Sequence, residues 1–141
     1  MLLKIWPQQF TFITKPMNEI DERLQVLRNY MSERQIDAVI IPSNDPHISE
    51  YVSPHWKLRE YFSGFTGTAG TLVVTKSLAA LWTDSRYFLQ VEKECAHSEV
   101  TLFKQSIPHA PEHISWLCTQ LNDGDTIGLD YRLFSIQQFE S

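Results

Sequence analysis

The sequence has few of the features that mark disulfide-rich, membrane-spanning or nucleic-acid-binding proteins. It contains two cysteines, Cys95 and Cys118, without CxxC spacing, so we expect two buried thiols in a reducing compartment rather than a disulfide or a metal pair. No apolar run approaches the roughly 20 residues that a membrane-spanning helix needs. The 12 basic residues are scattered and are outnumbered by 17 acidic ones, so a surface that tracks nucleic-acid phosphates is not expected.

What the sequence does contain is typical of one soluble globular domain. Of its 141 residues, 43% are apolar and 12% aromatic, which suits a chain that buries a single core. The first 16 residues include Trp6, but Pro7 and two glutamines interrupt them, so they lack the continuous apolar core of a signal peptide. We therefore predict an irregular N-terminal arm at residues 1–18, one domain at residues 19–141, and a cytoplasmic protein.

Hydrophobic periodicity predicts alternating helices and strands over the domain. Asn18 is a good N-cap for the first helix, because Asp21 follows three residues later and apolar residues then recur at helical spacing. Two strand-like runs, 71–75 and 79–83, are joined by a tight connection at Lys76-Ser77 and predict a hairpin, and Ser135 is a potential cap for a last helix. The order of elements indicates a three-layer α/β domain with a mixed sheet. The predicted helical segments are 19–34, 57–62, 85–96 and 112–121, and the predicted strands are 37–41, 71–75, 79–83, 100–103 and 126–129.

Three glycines, Gly64, Gly67 and Gly70, first suggest a phosphate-binding loop. Such a loop needs backbone N–H groups at a helix N-terminus and, in its Walker form, a Lys-Ser/Thr pair. Here Gly70 is followed by a predicted strand, and no lysine appears before Lys76. We therefore expect a tight loop at the entry to a strand, where glycine permits a positive φ and close backbone approach. A role in lining the site of a non-phosphate ligand stays open.

Histidine and acidic residues raise the alternative of a metal site. His47 and Glu50 are spaced to share an ion if they lie on one helical turn, but no second cluster supplies further ligands. His109 and His113 straddle Pro111, so we do not expect them to share a helical face. Gly-x-Ser-x-Gly is absent, and neither cysteine has a local activating pattern. Taken alone, the chain lacks the parts of a catalyst.

Asp84 and Arg86 lie at a predicted junction between a strand and a helix. Asp84 or Ser85 is expected to cap that helix by accepting hydrogen bonds from its first N–H groups. Arg86 would then lie in the first helical turn, where the helix dipole disfavours a cation. Two interpretations of Arg86 follow, a buried structural salt bridge or a side chain that faces a ligand or partner, because its planar fork suits a carboxylate.

Three blocks of the sequence carry a family resemblance. They read AVIIPSNDPHISEY (38–51), SGFTGTAGT (63–71) and LWTDSRYFLQ (81–90). In this order the blocks resemble the N-terminal domain of Xaa-Pro aminopeptidases, the creatinase/prolidase-type domain of the M24 metallopeptidases. The resemblance covers residues 19–141 and implies a ribonuclease H-like α/β/α structure with a mixed five-stranded sheet.

The resemblance implies a function for the complete enzyme rather than for this chain. Such enzymes release the N-terminal residue from peptides with proline in second position. Two divalent metal ions, usually manganese, are bound by a separate C-terminal domain, so no metal or other cofactor is expected in this chain. The implied partners are that C-terminal catalytic domain, a peptide substrate and a second subunit of a homodimer, with neither nucleic acid nor membrane.

The resemblance also implies site residues. Arg86 matches the family's N-domain arginine that reaches into the peptide-binding cleft, and His47 lies in a block that resembles its rim. The loop with Gly64, Thr66, Gly67 and Gly70 is implied to line the same cleft. Two departures occur: Pro46 stands where relatives usually carry alanine, and Ser85 where they usually carry glycine.

Two other functional classes stay open at this point. The chain would serve as a stand-alone interaction or small-ligand-binding module of the same fold if no catalytic domain accompanies it. It would alternatively be the N-terminal domain of a prolidase-like or creatinase-like hydrolase, which shares this fold.

Overall fold

The computed structural model describes residues 17–107 and 110–140, and these residues form one mixed α/β structure. Residues 1–16 of the arm predicted at 1–18, and His109, whose helical face was predicted, therefore lie outside the described residues. None of the described helices is long and apolar enough to cross a membrane. The helices are α1 (Glu19–Glu33), α2 (Leu58–Ser63), α3 (Phe88–Glu94), α4 (Glu112–Gln120) and α5 (Ile136–Glu140), with 3₁₀ turns at Pro54–Trp56 and Tyr131–Leu133, and the strands are β1 (Ala38–Ile41), β2 (Thr71–Thr75), β3 (Ala79–Thr83), β4 (Val100–Lys104) and β5 (Ile127–Leu129).

The five strands form one sheet in the order β4-β3-β2-β1-β5. Strand β2 is antiparallel to both of its neighbours, and the outer pairs β3–β4 and β1–β5 are parallel. Four strands therefore run in one direction, and their carboxyl ends meet at the edge where β2 begins. The predicted mixed five-stranded sheet and the β2–β3 hairpin are confirmed.

Helices cover both faces of the sheet, because successive strand residues point to opposite sides. Leu72, Val74 and Leu81 pack on one face with residues of α1 and α3, while Val73 and Trp82 pack on the other face with α4. These two clusters are the separate cores of a three-layer structure, as the order of elements predicted.

Local hydrogen bonds explain where the helices begin. The Oδ1 atom of Asn18 accepts the N–H of Asp21 at 2.9 Å, which confirms the predicted cap of α1. The Oγ atom of Ser135 accepts the N–H of Gln138 at 3.2 Å, and α5 follows, as predicted.

The third helix is shorter than the sequence predicts. It begins at Phe88 rather than residue 85 and ends at Glu94. The preceding residues form a turn, because Asp84 accepts two local N–H groups, one at its side chain from Arg86 and one at its carbonyl from Tyr87, both at 3.1 Å. The prediction that Asp84 caps this helix is therefore wrong, since its side chain stabilises a turn ahead of the helix.

The two cysteines differ in burial. Cys95 directly follows α3 and is 6% exposed, and burial raises the pKa of its thiol to about 11. Cys118 lies on α4 and is exposed, because its neighbour Leu117 takes the inward position of that helix. Both thiols are free. The prediction of two buried thiols is thus confirmed for Cys95 and wrong for Cys118.

Candidate functional site

A groove of about 970 Å³ opens at the sheet edge where the four parallel strands end. This edge is the place where open α/β sheets commonly bind ligands. The groove combines aromatic walls with polar side chains, which is the usual makeup of a ligand site. Its lining residues follow or precede the strands: Pro42 after β1, Gly70 before β2, the segment Asp84–Arg86 after β3 and Gln105 after β4. His113 on α4 and Phe134, which follows the second 3₁₀ turn, complete it.

Arg86 is the cation of this groove, and it is held by Asp84. Its Nε and Nη2 atoms each donate to one carboxylate oxygen of Asp84 at 2.8 Å. The guanidinium lies over the ring of Tyr87, and 69% of the arginine side chain is exposed. Two of its five N–H groups are used by Asp84, so the remaining three can bind a further acceptor.

The ion pair shifts the pKa of both partners. The hydrogen bonds from Arg86 lower the pKa of Asp84 to about 2, and the same contacts raise the pKa of the arginine. Both groups are therefore charged at neutral pH. Of the two interpretations above, a salt bridge is present, but it is exposed and lies ahead of α3. The prediction that Arg86 lies in a helical turn is wrong.

The three glycines of the loop at residues 64–70 are required for different structural reasons. Gly64 ends α2 with φ of 73°, the left-handed conformation that glycine adopts without strain. Gly70 has no room for a side chain, because a Cβ there would lie 2.9 Å from the carbonyl oxygen of Trp82. Gly67 would meet the rings of Phe65 and Tyr87 in the same way. The expectation of a tight loop at the entry to a strand is confirmed. The positive φ, however, occurs at Gly64, where α2 ends, and not at Gly70, where β2 begins.

This loop separates the groove from a second concavity. Thr66 and Gly67 line a pocket of about 190 Å³ on one side, and Gly70 lines the groove on the other. Gly64 lines neither concavity, and the prediction that these four loop residues line one peptide-binding cleft stays a prediction. Thr66 is held by Glu94, whose carboxylate accepts its N–H at 2.9 Å and its hydroxyl at 2.7 Å.

Arg59 lines the smaller pocket and was missed by sequence reasoning. It lies on α2, is 5% exposed, and donates to the Oγ of Ser43 at 2.8 Å, to the carbonyl of Phe65 at 2.5 Å and to the carbonyl of Gly67. It thereby holds the glycine loop in place. The local sequence Lys-Leu-Arg-Glu contains no signal for this role, because every partner comes from another segment of the chain.

His47 lies in a loop and lines neither concavity. The carboxylate of Asp45 accepts the N–H groups of His47 and Ser49 at 2.9 and 3.0 Å, and this turn places Ile48 at φ of 53°. His47 and Glu50 therefore do not share a helical turn, and that basis for a metal pair is wrong. Within residues 17–107 and 110–140, no group of three or more His, Cys, Asp or Glu side chains is arranged to hold a metal ion.

A second Asp-x-Arg pair repeats the geometry of the first. Arg132 follows β5 and donates from Nε and Nη2 to the carboxylate of Asp130 at 2.9 and 2.7 Å. Its guanidinium lies over the ring of Trp56. This pair does not line the groove. The repeated Asp-x-Arg spacing at the end of a strand is the sequence signal that would have found it.

Comparison with known proteins decides the family. Residues 23–141 match the family described as Creatinase/Prolidase N-terminal domain. This chain belongs to that family. Aminopeptidase P2 of Arabidopsis thaliana is 46% identical over 86% of the chain, and Xaa-Pro aminopeptidase 2 of Rattus norvegicus is 42% identical over 84%. In each case the creatinase/prolidase-type chain spans only 17% of the relative.

Solved structures agree with this assignment. An X-prolyl aminopeptidase from Caenorhabditis elegans, described as a cytosolic enzyme with a di-nuclear active site, superposes with a TM-score of 0.77. It is 33% identical and is matched over 86% of this chain and 21% of its own. The creatinase/prolidase-like N-terminal domain of a Corynebacterium diphtheriae protein shows the same fold at 22% identity, with a TM-score of 0.60 over 85% of that chain. The chain is thus the N-terminal domain of Xaa-Pro aminopeptidase-type proteins.

Proposed function

We propose that this domain is the non-catalytic N-terminal part of a metal-dependent Xaa-Pro aminopeptidase and helps to hold its peptide substrate. The observation that carries the proposal is the placement of Arg86. Three of its N–H groups are free of Asp84, and the side chain lines the groove at the strand ends. A peptide supplies carbonyl and carboxylate acceptors that suit such a fork.

Catalysis belongs elsewhere in this proposal. The side chains that the structure describes do not fit a dinuclear metal centre, so no catalytic step is assigned to them. We propose that a C-terminal catalytic domain binds the two metal ions, of which manganese is our expectation. The di-nuclear active site described for the Caenorhabditis elegans structure supports the proposal of two metal ions in the complete enzyme. A cytoplasmic homodimer is likewise part of the proposal.

The test uses a chimera in which residues 19–141 replace the N-terminal domain of the Caenorhabditis elegans enzyme. Hydrogen bonds to charged groups contribute about 1.5–3 kcal/mol, so Arg86→Ala should lower kcat/KM for a Xaa-Pro peptide roughly 10- to 150-fold. Arg132→Ala is the matched control, because it removes the same pair geometry outside the groove. Equal losses in both variants, or no loss in the first, would contradict the role of Arg86.

An interaction module is the second candidate, and exposed apolar residues favour it. Ile136 and Phe139 on α5 are 78% and 67% exposed and lie three residues apart on that helix. Adding the chain in trans to a metal-loaded catalytic fragment separates the two functions. Restored peptidase activity supports the substrate-holding role, whereas binding without a change in rate supports the interaction module.

A prolidase-like or creatinase-like substrate is the remaining alternative. The names of the relatives given above favour Xaa-Pro peptides over the dipeptides of prolidases. Comparing a Xaa-Pro dipeptide with a Xaa-Pro tripeptide in the chimera measures this preference directly, and faster cleavage of the dipeptide would favour the prolidase-like function.

A further inference from the structure

Arg59 is a buried cation that forms no ion pair with a carboxylate in the described part of the chain. Arg86 and Arg132 each pair with an aspartate although they are largely exposed. Arg59 is 5% exposed, and no carboxylate among residues 17–107 and 110–140 forms an ion pair with it. Buried charges are normally paired, because the protein interior solvates them less well than water does. Glu60 and Glu94 act on Arg59 only through space, so no described carboxylate is bonded to its guanidinium.

The hydrogen bonds of Arg59 leave part of its fork unused. Three of its five N–H groups are directed at Ser43, Phe65 and Gly67. Backbone carbonyls and a hydroxyl satisfy these donors but carry no net charge. Burial lowers the pKa of Arg59 to about 10, although the charges of Glu60 and Glu94 partly oppose this shift. Two N–H groups have no partner in the described part of the chain, and Arg59 lines the pocket.

The pocket beside Arg59 has room for a small ligand. Its volume of about 190 Å³ is several times the roughly 30 Å³ that one water occupies in the liquid. Tyr51 and Trp56 supply aromatic walls, and Lys57 is paired with Glu60 at 3.3 Å within the lining. Glu50 is the remaining acidic residue of the lining. We propose that this pocket binds a carboxylate through the free N–H groups of Arg59.

The charges of the lining decide the chemical class of the ligand. A guanidinium fork binds carboxylates and phosphates in the same bidentate way. Glu50 and Glu60 line the same pocket, so a doubly charged phosphate meets more repulsion than a singly charged carboxylate. The carboxylate comes from a small organic acid or from the C-terminus of a short peptide. Either source places one negative charge beside Arg59.

The site is tested by NMR titration of the ¹⁵N-labelled chain with sodium acetate, against sodium chloride at equal ionic strength. The Nε–H resonance of Arg59 and the amides of Thr66 and Gly67 should shift and saturate, with a dissociation constant on the order of 1–10 mM for so small a ligand. Lysine cannot present a fork, so Arg59→Lys should weaken binding at least about 5-fold. Shifts that do not saturate, or that chloride reproduces, would overturn the proposal.

A pair of charge-matched variants keeps the test decisive if Arg59→Lys does not fold. Glu50→Gln removes a negative charge from the pocket and should tighten acetate binding roughly 2- to 5-fold. Glu33→Gln makes the same change in net charge on α1, outside the pocket, and should leave binding unchanged. Equal effects of the two variants would show that acetate responds to net charge alone, which also overturns the site.

The source of the carboxylate is distinguished with the tripeptide Ala-Pro-Ala and its C-terminal amide. Preference for the free acid supports a peptide C-terminus as the ligand. Saturable binding of acetate with no binding of either tripeptide supports a small organic acid. Equal binding of the acid and the amide shows that the pocket does not recognise a carboxylate, and it overturns the proposal. The proposed peptidase function does not depend on any of these outcomes.

Discussion

Arg59 and Arg86, which line the pocket and the groove, should contribute very differently to the free energy of unfolding. Arg59→Met keeps the aliphatic part of the side chain but leaves the buried carbonyls of Phe65 and Gly67 without a donor. Each orphaned carbonyl costs about 1–3 kcal/mol. Removing a buried charge that lacks a counterion offsets part of this loss. We therefore expect the free energy of unfolding to fall by about 2–4 kcal/mol.

Arg86→Met breaks an ion pair of similar geometry in a different setting. The arginine side chain is 69% exposed, and exposed pairs contribute only about 0–1 kcal/mol. At roughly 3 °C per kcal/mol for a domain of this size, the expected falls in Tm are about 6–12 °C for Arg59→Met and at most about 3 °C for Arg86→Met.

Tryptophan fluorescence follows the unfolding of both variants, because Trp82 lies in the core and is 5% exposed. Urea titration then gives the free energy of unfolding, and heating gives Tm. A loss below about 1 kcal/mol for Arg59→Met would refute the loop-holding role of that arginine. A loss above about 2 kcal/mol for Arg86→Met would show that its pair with Asp84 is structural, and would weaken the case for a substrate-facing side chain.

Three further predictions concern single positions. Gly70→Ala should lower the free energy of unfolding by about 1–3 kcal/mol in the same urea assay, because the new Cβ meets a backbone carbonyl at 2.9 Å; an unchanged midpoint would contradict this tight approach. At pH 8 a thiol reagent should modify Cys118 rapidly and Cys95 slowly, since burial raises the pKa of Cys95 to about 11; two equally fast thiols would contradict the packing of α3. Carbon-13 NMR should give Asp84 a pKa of about 2, and this pKa should rise toward its ordinary value of about 3.9 in Arg86→Met. The stability that this ion pair contributes should be present above about pH 4 and lost as the pH falls toward 2. An Asp84 pKa that stays near 2 in the variant would show that other groups lower it.

Much of the fold was predictable because its signals are local and periodic. The predicted bounds of all five strands lie within two residues of the observed ones, since each strand is a short run bounded by turn residues, and β1, β2 and β3 are also largely buried. The cap at Asn18 was also predictable, because its hydrogen bond spans three residues. The start of α3 was not. There Asp84 bonds the nearby N–H of Arg86 and competes with the helix.

The site was predictable only in part. Arg86 stood out because it follows a strand end next to an aspartate, and parallel strand ends meet at one edge. The same logic would have found Arg132. The burial of Cys95 and the exposure of Cys118 were not separable from sequence, because Cys95 follows a short helix and Cys118 lies on one, and short helices have few periodic positions.

By itself the sequence determined the order of elements, the mixed sheet and the motif blocks that mark the family. These properties follow from side-chain periodicity and from residues close together in the chain. Only the tertiary structure decided that the glycine loop separates two concavities and that Arg59 lines one of them. The physical reason is that Arg59 donates to backbone carbonyls and to Ser43, 16 residues away, and such partners depend on the path of the backbone.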